Sequence, residues 1–468
     1  MSKKLFEEFE SVSAKAWKQK IQVDLKGADY NESLIKSTNE GIDIKPFYHA
    51  DQHDYDFQLP KSPEWLVTEK LYLENVDITL ENSEDVIERG AESLWIIIPE
   101  ADDKKLAFFK ALEDDKTPLF IEVLFEDLEF FESLRKLFKS QDKDVWFGFD
   151  PVHQLASKGN WFNKQKTDFE TLSETIGWSE FQNQLHIDAR LYQNSGGLII
   201  QQLAYSVAHL NEYLNYISNS NASLKSIGVN ILVAQGSNYF FEIAKLKALR
   251  LLIENLADEY ALSIQLNIIA EPTKRNHSIY DYNMNMLRTT TESMSAILGG
   301  ANWVNNLAYD EIFNKRNEFG ERISRNQLLI LKQESYFDKV LNPVDGSYYI
   351  EKLTKDLAEK ALEIFKTIEA GKGFIQQLFE GKIQKKIKES AEKEQAKVNS
   401  GEFTLVGLNK YQNPEDQMSQ NLELFPFLKQ NQRKTLIEPI LERRLAEPIE
   451  KERLEQEKST SKTTNKDE

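Results

Sequence analysis

Leu94-Trp-Ile-Ile-Ile-Pro99 and Pro118-Leu-Phe-Ile-Glu-Val-Leu-Phe125 are strand-length runs with almost no polar break. A strand with one wet face alternates apolar and polar residues, so a continuous run marks a parallel strand covered on both faces. Working outward, similar β-rich runs fall at Leu71 to Val76, Leu94 to Ile98, Leu119 to Leu124, Val145 to Phe149, Leu185 to Ala189, Ile227 to Val233, Ser263 to Ile269 and Asn302 to Ala308. Between them lie stretches with apolar residues at helical spacing: Lys104 to Leu112, Leu128 to Phe138, Leu198 to Tyr216 and Tyr239 to Leu256. Eight strand and helix pairs over roughly 250 residues fit a (β/α)₈ barrel, with a doubly wound open sheet as the alternative.

Arg275 to Gly300 carries the helix of the last repeat. Met284, Leu287, Thr291, Met294 and Leu298 share one side, Asp281 is placed to cap the start, and Gly299 and Gly300 can supply a left-handed stop. Thr289, Thr290 and Thr291 lower helix propensity unless their hydroxyls bond to earlier carbonyls. Ahead of the barrel, residues 1–45 form an apolar arm, with Leu5, Phe9, Val12 and Ala16 at helical spacing and Trp17 beside them. The barrel occupies 46–345. A helical extension follows over 346–455, with a helix at Arg322 to Gln333, a turn at Asn342 to Ser347 and a long charged helix from Thr354 to Lys397 at this junction. Pro426 to Leu454 reads as further helical pieces with Leu436, Ile440, Leu441 and Leu445 on one side and breaks at Pro439 and Pro448, and 456–468 as a disordered tail.

With 468 residues, 40% of them apolar, the chain can bury a large core. A net charge of −18 opposes nucleic-acid and anionic-membrane partners. The absence of cysteine excludes disulfides and thiolate chemistry and suits a cytoplasmic location, and no apolar run is long enough to span a bilayer. The six histidines (His49, His53, His153, His186, His209, His277) have no metal-ligand spacing.

The blocks Y-D-x-x-x-N-M-L-R-T-T-T-E from Tyr280, L-G-G from Leu298, E-R-I-S-R-N-Q from Glu321 and N-P-V-D-G-S-Y-Y-I-E from Asn342 resemble, in that order, the barrel domain of the adenosylcobalamin-dependent acyl-CoA mutases of the methylmalonyl-CoA type. The resemblance favours the closed barrel over the open sheet. It further implies an arm that packs on a partner subunit and a short extended piece at Phe403 to Tyr411. Gly236 to Arg250 resembles the family helix G-x-N-F-F-M-E-x-A-K-x-R-A-x-R. Glu242, Lys245, Arg250, Arg288, Arg322, Arg325 and Asn326 are therefore candidates either for the barrel framework or for ordering a partner interface.

The same resemblance marks what is missing. His186-Ile-Asp-Ala-Arg-Leu-Tyr-Gln-Asn-Ser-Gly-Gly197 matches the family segment S-I-S-G-Y-H-M-Q-E-A-G-A at Ile187, Gln193 and Gly196, but the family's active-site His falls on Leu191. A leucine can neither donate to a thioester carbonyl nor steady a migrating radical. His186, five positions earlier, reads as a structural histidine. Neither T-x-x-x-N-D-x-x-K-E in Gly159 to Gln184 nor R-G-x-Y-x-x-M-Y in Phe47 to Pro63 has a counterpart. The cobalamin signature D-x-H-x-x-G is approached only by Asp51-Gln-His53-Asp-Tyr-Asp56, which lacks the Gly and the strand-to-helix context.

The resemblance thus implies a small, non-catalytic subunit of a heterodimeric isomerase, with no catalytic, cofactor-binding or metal-binding residues of its own and inactive alone. Adenosylcobalamin would sit on a large (alpha) partner that interconverts (R)-methylmalonyl-CoA and succinyl-CoA. The competing expectations are the substrate barrel of a split mutase, active with a separate cobalamin protein, and an unrelated metal-free barrel enzyme.

Overall fold

A computed structural model describes residues 10–53, 64–139, 143–219, 224–340, 342–429 and 433–464. Eight parallel strands form a nearly closed barrel: β1 Leu66–Tyr72, β2 Ser93–Ile98, β3 Leu119–Val123, β4 Val145–Gly148, β5 Leu185–Asp188, β6 Ser226–Gln235, β7 Ser263–Pro272 and β8 Trp303–Asn305. Neighbours pair in sequence, and β8 returns to β1 with Trp303 opposite Leu66. The open sheet is thereby excluded.

The seam lies between β4 and β5, which form no regular ladder. There Gln182 donates its backbone N–H to the Val145 carbonyl at 2.8 Å. The buried Asn183 side chain completes the join, accepting from the Phe147 N–H at 2.7 Å and donating to the Phe147 carbonyl at 2.7 Å and the Leu185 carbonyl at 2.9 Å. A side-chain amide thus supplies the pairing that a strand would. Asn183→Leu strands these groups in a dry seam and is expected to lower stability by about 2 to 3 kcal/mol, read from the urea midpoint.

Alternation along the strands divides the core. Leu94, Ile96, Ile98, Leu119, Ile121 and Val123 join the large cluster between strands and helices, while Trp95, Ile97, Phe120, Trp146, Leu232, Ile269 and Trp303 form a second cluster. Side chains from β2, β3, β4, β6, β7 and β8 can all meet only on the barrel axis. Three indoles and a phenyl ring therefore fill the centre.

The first strand begins at Leu66, five residues before its predicted start, and Val76 instead opens the helix Val76–Glu88, capped by Asn75. Thr68, Glu69 and Lys70 give this strand a polar stretch whose partners come from distant sequence: Glu69 receives Arg325 and Lys70 reaches Glu271.

The arm begins with helix α1, Ala14–Asp24, capped by Ser13, and continues into a short antiparallel hairpin pairing Lys36–Ser37 with Asp43–Ile44. At the hairpin turn the buried Glu40 carboxylate accepts the N–H groups of Ile199 and Ile200 at 3.0 and 3.1 Å, at the start of α2, Ile199–Asn219. The hairpin is thus latched to the chain's own barrel, and Trp17 stacks on Phe47 at 4.3 Å. In α1 only Ala14 is buried. Val12, Trp17 and Val23 remain exposed.

Glu40 makes the latch pH-dependent. Burial raises its carboxyl from 4.5 to about 7, against the pull of the two backbone N–H groups. A raised pKa means stability present at low pH and lost as pH rises through 7, here about 2.5 kcal/mol between pH 5 and 8. Glu40→Gln cannot titrate, so its thermal unfolding is expected to lose that part of the pH dependence.

α3 spans Tyr239–Glu259 and α4 spans Met284–Leu298. In α4 the predicted apolar side faces outward: Leu287 is 60% exposed, whereas Asn285, Thr289, Glu292, Ser293 and Ala296 are buried. The polar side wins because partners wait for it, with Asn285 bonded to the Ser278 and Tyr309 carbonyls and Glu292 to Asn276. The three threonines do bond back to the Met286, Leu287 and Arg288 carbonyls. Asn283, not Asp281, stands at the cap position, and Gly300 alone takes positive φ at the stop.

Helix α5, Glu318–Leu329, runs into a π turn, Ile330–Glu334. The predicted single charged helix is instead α6 Tyr348–Ala370, α7 Phe374–Phe379 and α8 Lys382–Ser400, broken at Lys372 and Gly373 and at Gly381, all with positive φ. Phe403 to Tyr411 holds turns and one isolated bridge between Val406 and Lys410, not an extended piece. No helix forms between Pro426 and Ala446 among the described residues; this strap lies across the barrel's C-terminal face. Leu436 and Ile437 donate backbone N–H to the Gly159 carbonyl, Ile440 to Ala156, Arg443 to Asn194 and Leu445 to Arg275. The last helix, α9 Glu447–Thr464, has Pro448 in its first turn, where proline costs no hydrogen bond, and enters the segment whose composition predicts a disordered tail.

Candidate functional site

The loops after β4, β5 and β7 and the strap enclose a cleft of about 510 Å³ at the C-terminal mouth, where barrel enzymes carry their chemistry. Its floor is an ion network centred on Arg190. This guanidinium lies 4.7 Å above the Trp95 ring. It donates to Asp188 at 2.6 and 2.9 Å, to Glu271 at 3.0 Å and to Glu122 at 3.4 Å. Lys70 bonds to Glu271 at 3.0 Å, and Lys274 to Glu311 at 2.7 Å. Each of these cations is already committed to a carboxylate.

The electrostatics follow from this pairing. Burial would raise the Asp188 and Glu271 carboxyls, but Arg190 holds Asp188 far below its usual range, and Lys70 with Arg190 keeps Glu271 low. Glu311, similarly desolvated, is held at about 2 by Lys274 and Lys70. In Glu122 burial wins, and its carboxyl rises. Asp150 starts the helix Pro151–Lys158 and accepts from the Asp188 N–H at 2.8 Å, the Tyr213 hydroxyl at 2.6 Å and His209 at 2.9 Å. Burial opposes its charge, yet His209 keeps it at about 2.

Leu191 sits in the short helix Arg190–Asn194 at the end of β5 and lines the cleft, 3% exposed. It presents only carbon to the cleft. His186 lies deeper on β5, packed 5.1 Å from the Phe120 ring centroid and bonded through Nδ1 to Asn230. Burial lowers it to about 4, so it is neutral near pH 7. The sequence scatters the histidines, but the fold gathers His153, His186 and His209 around Asp150 and Asp188. His153 bonds through Nδ1 to the Asp188 carbonyl at 3.1 Å and borders the cleft, as does His186.

Glu242 and Lys245 pair directly inside the protein, with side-chain exposures of 2% and 4%, and Lys245 also donates to the Ala234 carbonyl. Arg250, lowered to about 10 by burial, donates to the Gly300 carbonyl and Asn302. Arg288 ties Asn285 to the Val406 carbonyl. Arg325 donates to Glu69 at 3.0 Å; Glu242, Lys245 and Arg325 are buried, while Arg250 and Arg288 are half-buried. Arg322 and Asn326 are exposed on α5, with Arg322 over the Phe319 ring. None of the seven lines the cleft.

The cleft residues that sequence reading passed over are Lys70, Glu122, Asp188, Arg190 and Glu271. Glu122 had a signal: it is the one charge in the run Leu119 to Phe125. A carboxylate within a buried strand needs a cation, and Arg190 supplies it.

Asp51 and His53, the nearest approach to the cobalamin signature, do not fit a cobalamin site. Asp51 accepts the Ala14 N–H at 2.9 Å, and His53 Nε2 faces the Glu351 carboxylate at 3.0 Å. Both are spent on joining the arm to the barrel and extension. Among the described residues no cluster of His, Asp and Glu could hold a metal ion, and no helix is long and apolar enough to cross a membrane.

The fold and its mouth define a (β/α)₈-barrel protein closed by a clasping C-terminal extension. The family model for methylmalonyl-CoA mutase matches residues 144–462, and the chain belongs to that family. It is 29% identical over 450 residues to the methylmalonyl-CoA mutase small subunit of Porphyromonas gingivalis, covering 88% of this chain and 71% of that one. It is also 34% identical over 235 residues to the methylmalonyl-CoA mutase of Cereibacter sphaeroides, covering 49% of this chain and 33% of that one. A probable methylmalonyl-CoA mutase large subunit of Mycobacterium tuberculosis is 32% identical over 277 residues, 57% of this chain and 37% of that one.

Proposed function

We propose that this chain is the small, non-catalytic subunit of a heterodimeric methylmalonyl-CoA mutase. The large (alpha) subunit binds adenosylcobalamin and interconverts (R)-methylmalonyl-CoA and succinyl-CoA in the cytoplasm, and this barrel supports it. One observation carries the reading: Trp95, Phe120, Trp146 and Trp303 fill the axis beneath a network in which Arg190 neutralises Asp188, Glu122 and Glu271. An extended thioester has no passage through that centre, and Leu191 itself offers the cleft only carbon.

The arm supports a partner. An eleven-residue helix with one buried residue is marginal in water, and α1 presents Trp17 and Val23 to be covered. An obligate interface buries several thousand Å², and a ligand of the folded large subunit stabilises it by mass action.

Co-expression with a large mutase chain is expected to give a one-to-one complex on sizing, in which the large chain unfolds at a higher temperature than alone. Separate elution at micromolar concentration would refute the partnership.

A further inference from the structure

The cleft at the barrel mouth has one wall that the ion network leaves free. On the floor the charges are taken: Arg190 by Asp188, Glu271 and Glu122, Lys70 by Glu271, and Lys274 by Glu311. Asp150 accepts from His209 and Tyr213, and Asn194 joins Thr273 to Glu442. The remaining cation, Lys158, is exposed at the outer end of its helix. A charged ligand therefore finds no spare counter-ion on the floor.

The free wall is the helix Pro151–Lys158, from which His153 and Gln154 line the cleft. His153 Nδ1 lies 3.1 Å from the Asp188 carbonyl, which can only accept, so in the neutral ring Nδ1 carries the proton and Nε2 the lone pair. That half-buried ring's Nε2 is open to solvent and has no partner among the described residues, and the same holds for the Gln154 amide. An acceptor next to an amide donor matches a single hydroxyl, which donates to the first and accepts from the second.

Carbon surrounds this pair. Tyr72, Leu124 and Leu441 are 54%, 48% and 43% exposed, large apolar side chains that converge on this one cleft from β1, the end of β3 and the strap. Leu428 and Ile440 extend the strap side. A hydrocarbon body that displaces water from such surface gains free energy, provided its hydroxyl keeps the hydrogen bonds the water made.

We propose that the mouth cleft binds a compact, uncharged alcohol, its hydroxyl held by His153 Nε2 and the Gln154 amide and its hydrocarbon body against Leu124 and Leu441. The volume of about 510 Å³ suits a small molecule. The assignment stands on the geometry of the mouth and not on the mutase reading.

Isothermal titration of the full chain with borneol, camphor, bornylamine and bornane-2-carboxylate tests it, because the four share one hydrocarbon frame. Borneol is expected to bind, with camphor about tenfold weaker because a ketone cannot donate to Nε2. The amine and the carboxylate should also bind about tenfold more weakly than borneol, for want of a free counter-ion. His153→Leu should bring borneol down to the level of camphor and leave camphor unchanged. Gln154→Met should weaken borneol and camphor alike, since both accept from the amide; this side chain makes no bond within the fold, so the variant decides even if His153→Leu misfolds. No binding of borneol, camphor equal to borneol, tighter binding of either ion, a folded His153→Leu variant that keeps the preference for borneol, or a Gln154→Met variant that binds borneol like wild type would overturn the assignment.

Discussion

Glu450→Ala is expected to cost about 3 to 5 kcal/mol and to release the C-terminal clasp, because it leaves the buried Arg444 guanidinium without its counter-ion. Glu450 has no solvent-exposed side-chain surface, and Arg444 donates to it at 2.7 and 3.0 Å. The pair closes a knot of backbone contacts: Arg444 also donates to the His277 and Pro426 carbonyls, and Glu450 accepts the Ile279 N–H at 2.8 Å. One ion pair therefore joins the end of the strap, the first turn of α9 and the loop before α4. Loss of the anion should lower the urea midpoint and open the strap to limited proteolysis between 433 and 446. Glu455→Ala, an exposed change on the same helix, should move neither by more than about 0.5 kcal/mol.

Arg190→Met is expected to cost a similar 3 to 5 kcal/mol, about the effect of stripping one partner from a buried network, and to reverse the acid dependence of stability. In the wild type, Asp188 and Glu271 are held below their unfolded values, so they contribute stability above the usual carboxylate range and lose it on acidification. Without the guanidinium, Glu122, Asp188 and Glu271 crowd a desolvated mouth and their pKa values rise above the unfolded ones. Their contribution is then present at low pH and lost as pH rises. The deficit of the variant should be greatest near pH 8 and smaller near pH 5, measured by denaturant unfolding across that range. A pH-independent deficit would mean that Arg190 acts by packing on Trp95 alone.

The barrel was legible because its strands are covered on both faces. Leu94 to Ile98 and Leu119 to Val123 are continuous apolar runs that a sequence displays openly. Pattern failed where buried polarity is paid for by residues far away in the chain. The first strand was displaced because Glu69 and Lys70 look like loop until Arg325 and Glu271 are brought to them. The same reason reversed α4, whose inward side is Asn285, Thr289 and Glu292. The strap has no periodicity to find: its backbone bonds go to Gly159, Ala156, Asn194 and Arg275, and spacing within 426–446 encodes none of them.

At the mouth, Leu191 was singled out from the sequence, but the ion network beside it was not. Arg190 is adjacent in sequence to Leu191, and only the fold places it over Trp95, between carboxylates from β3, β5 and β7. The framework residues divide the same way. Glu242 and Lys245 lie three apart on one helix face, which spacing predicts, but whether that face is wet or buried depends on Gln202 and Ala234, and it is buried.

The most direct test of a helper subunit is turnover by this chain without its partner. Purified protein, supplied with adenosylcobalamin, a separate cobalamin-domain protein and (R)-methylmalonyl-CoA, is expected to form no succinyl-CoA above the protein-free background, while the same assay with a full-length large chain turns over. Succinyl-CoA formation in the absence of the large chain would contradict the account and make this barrel the substrate-binding half of a split mutase.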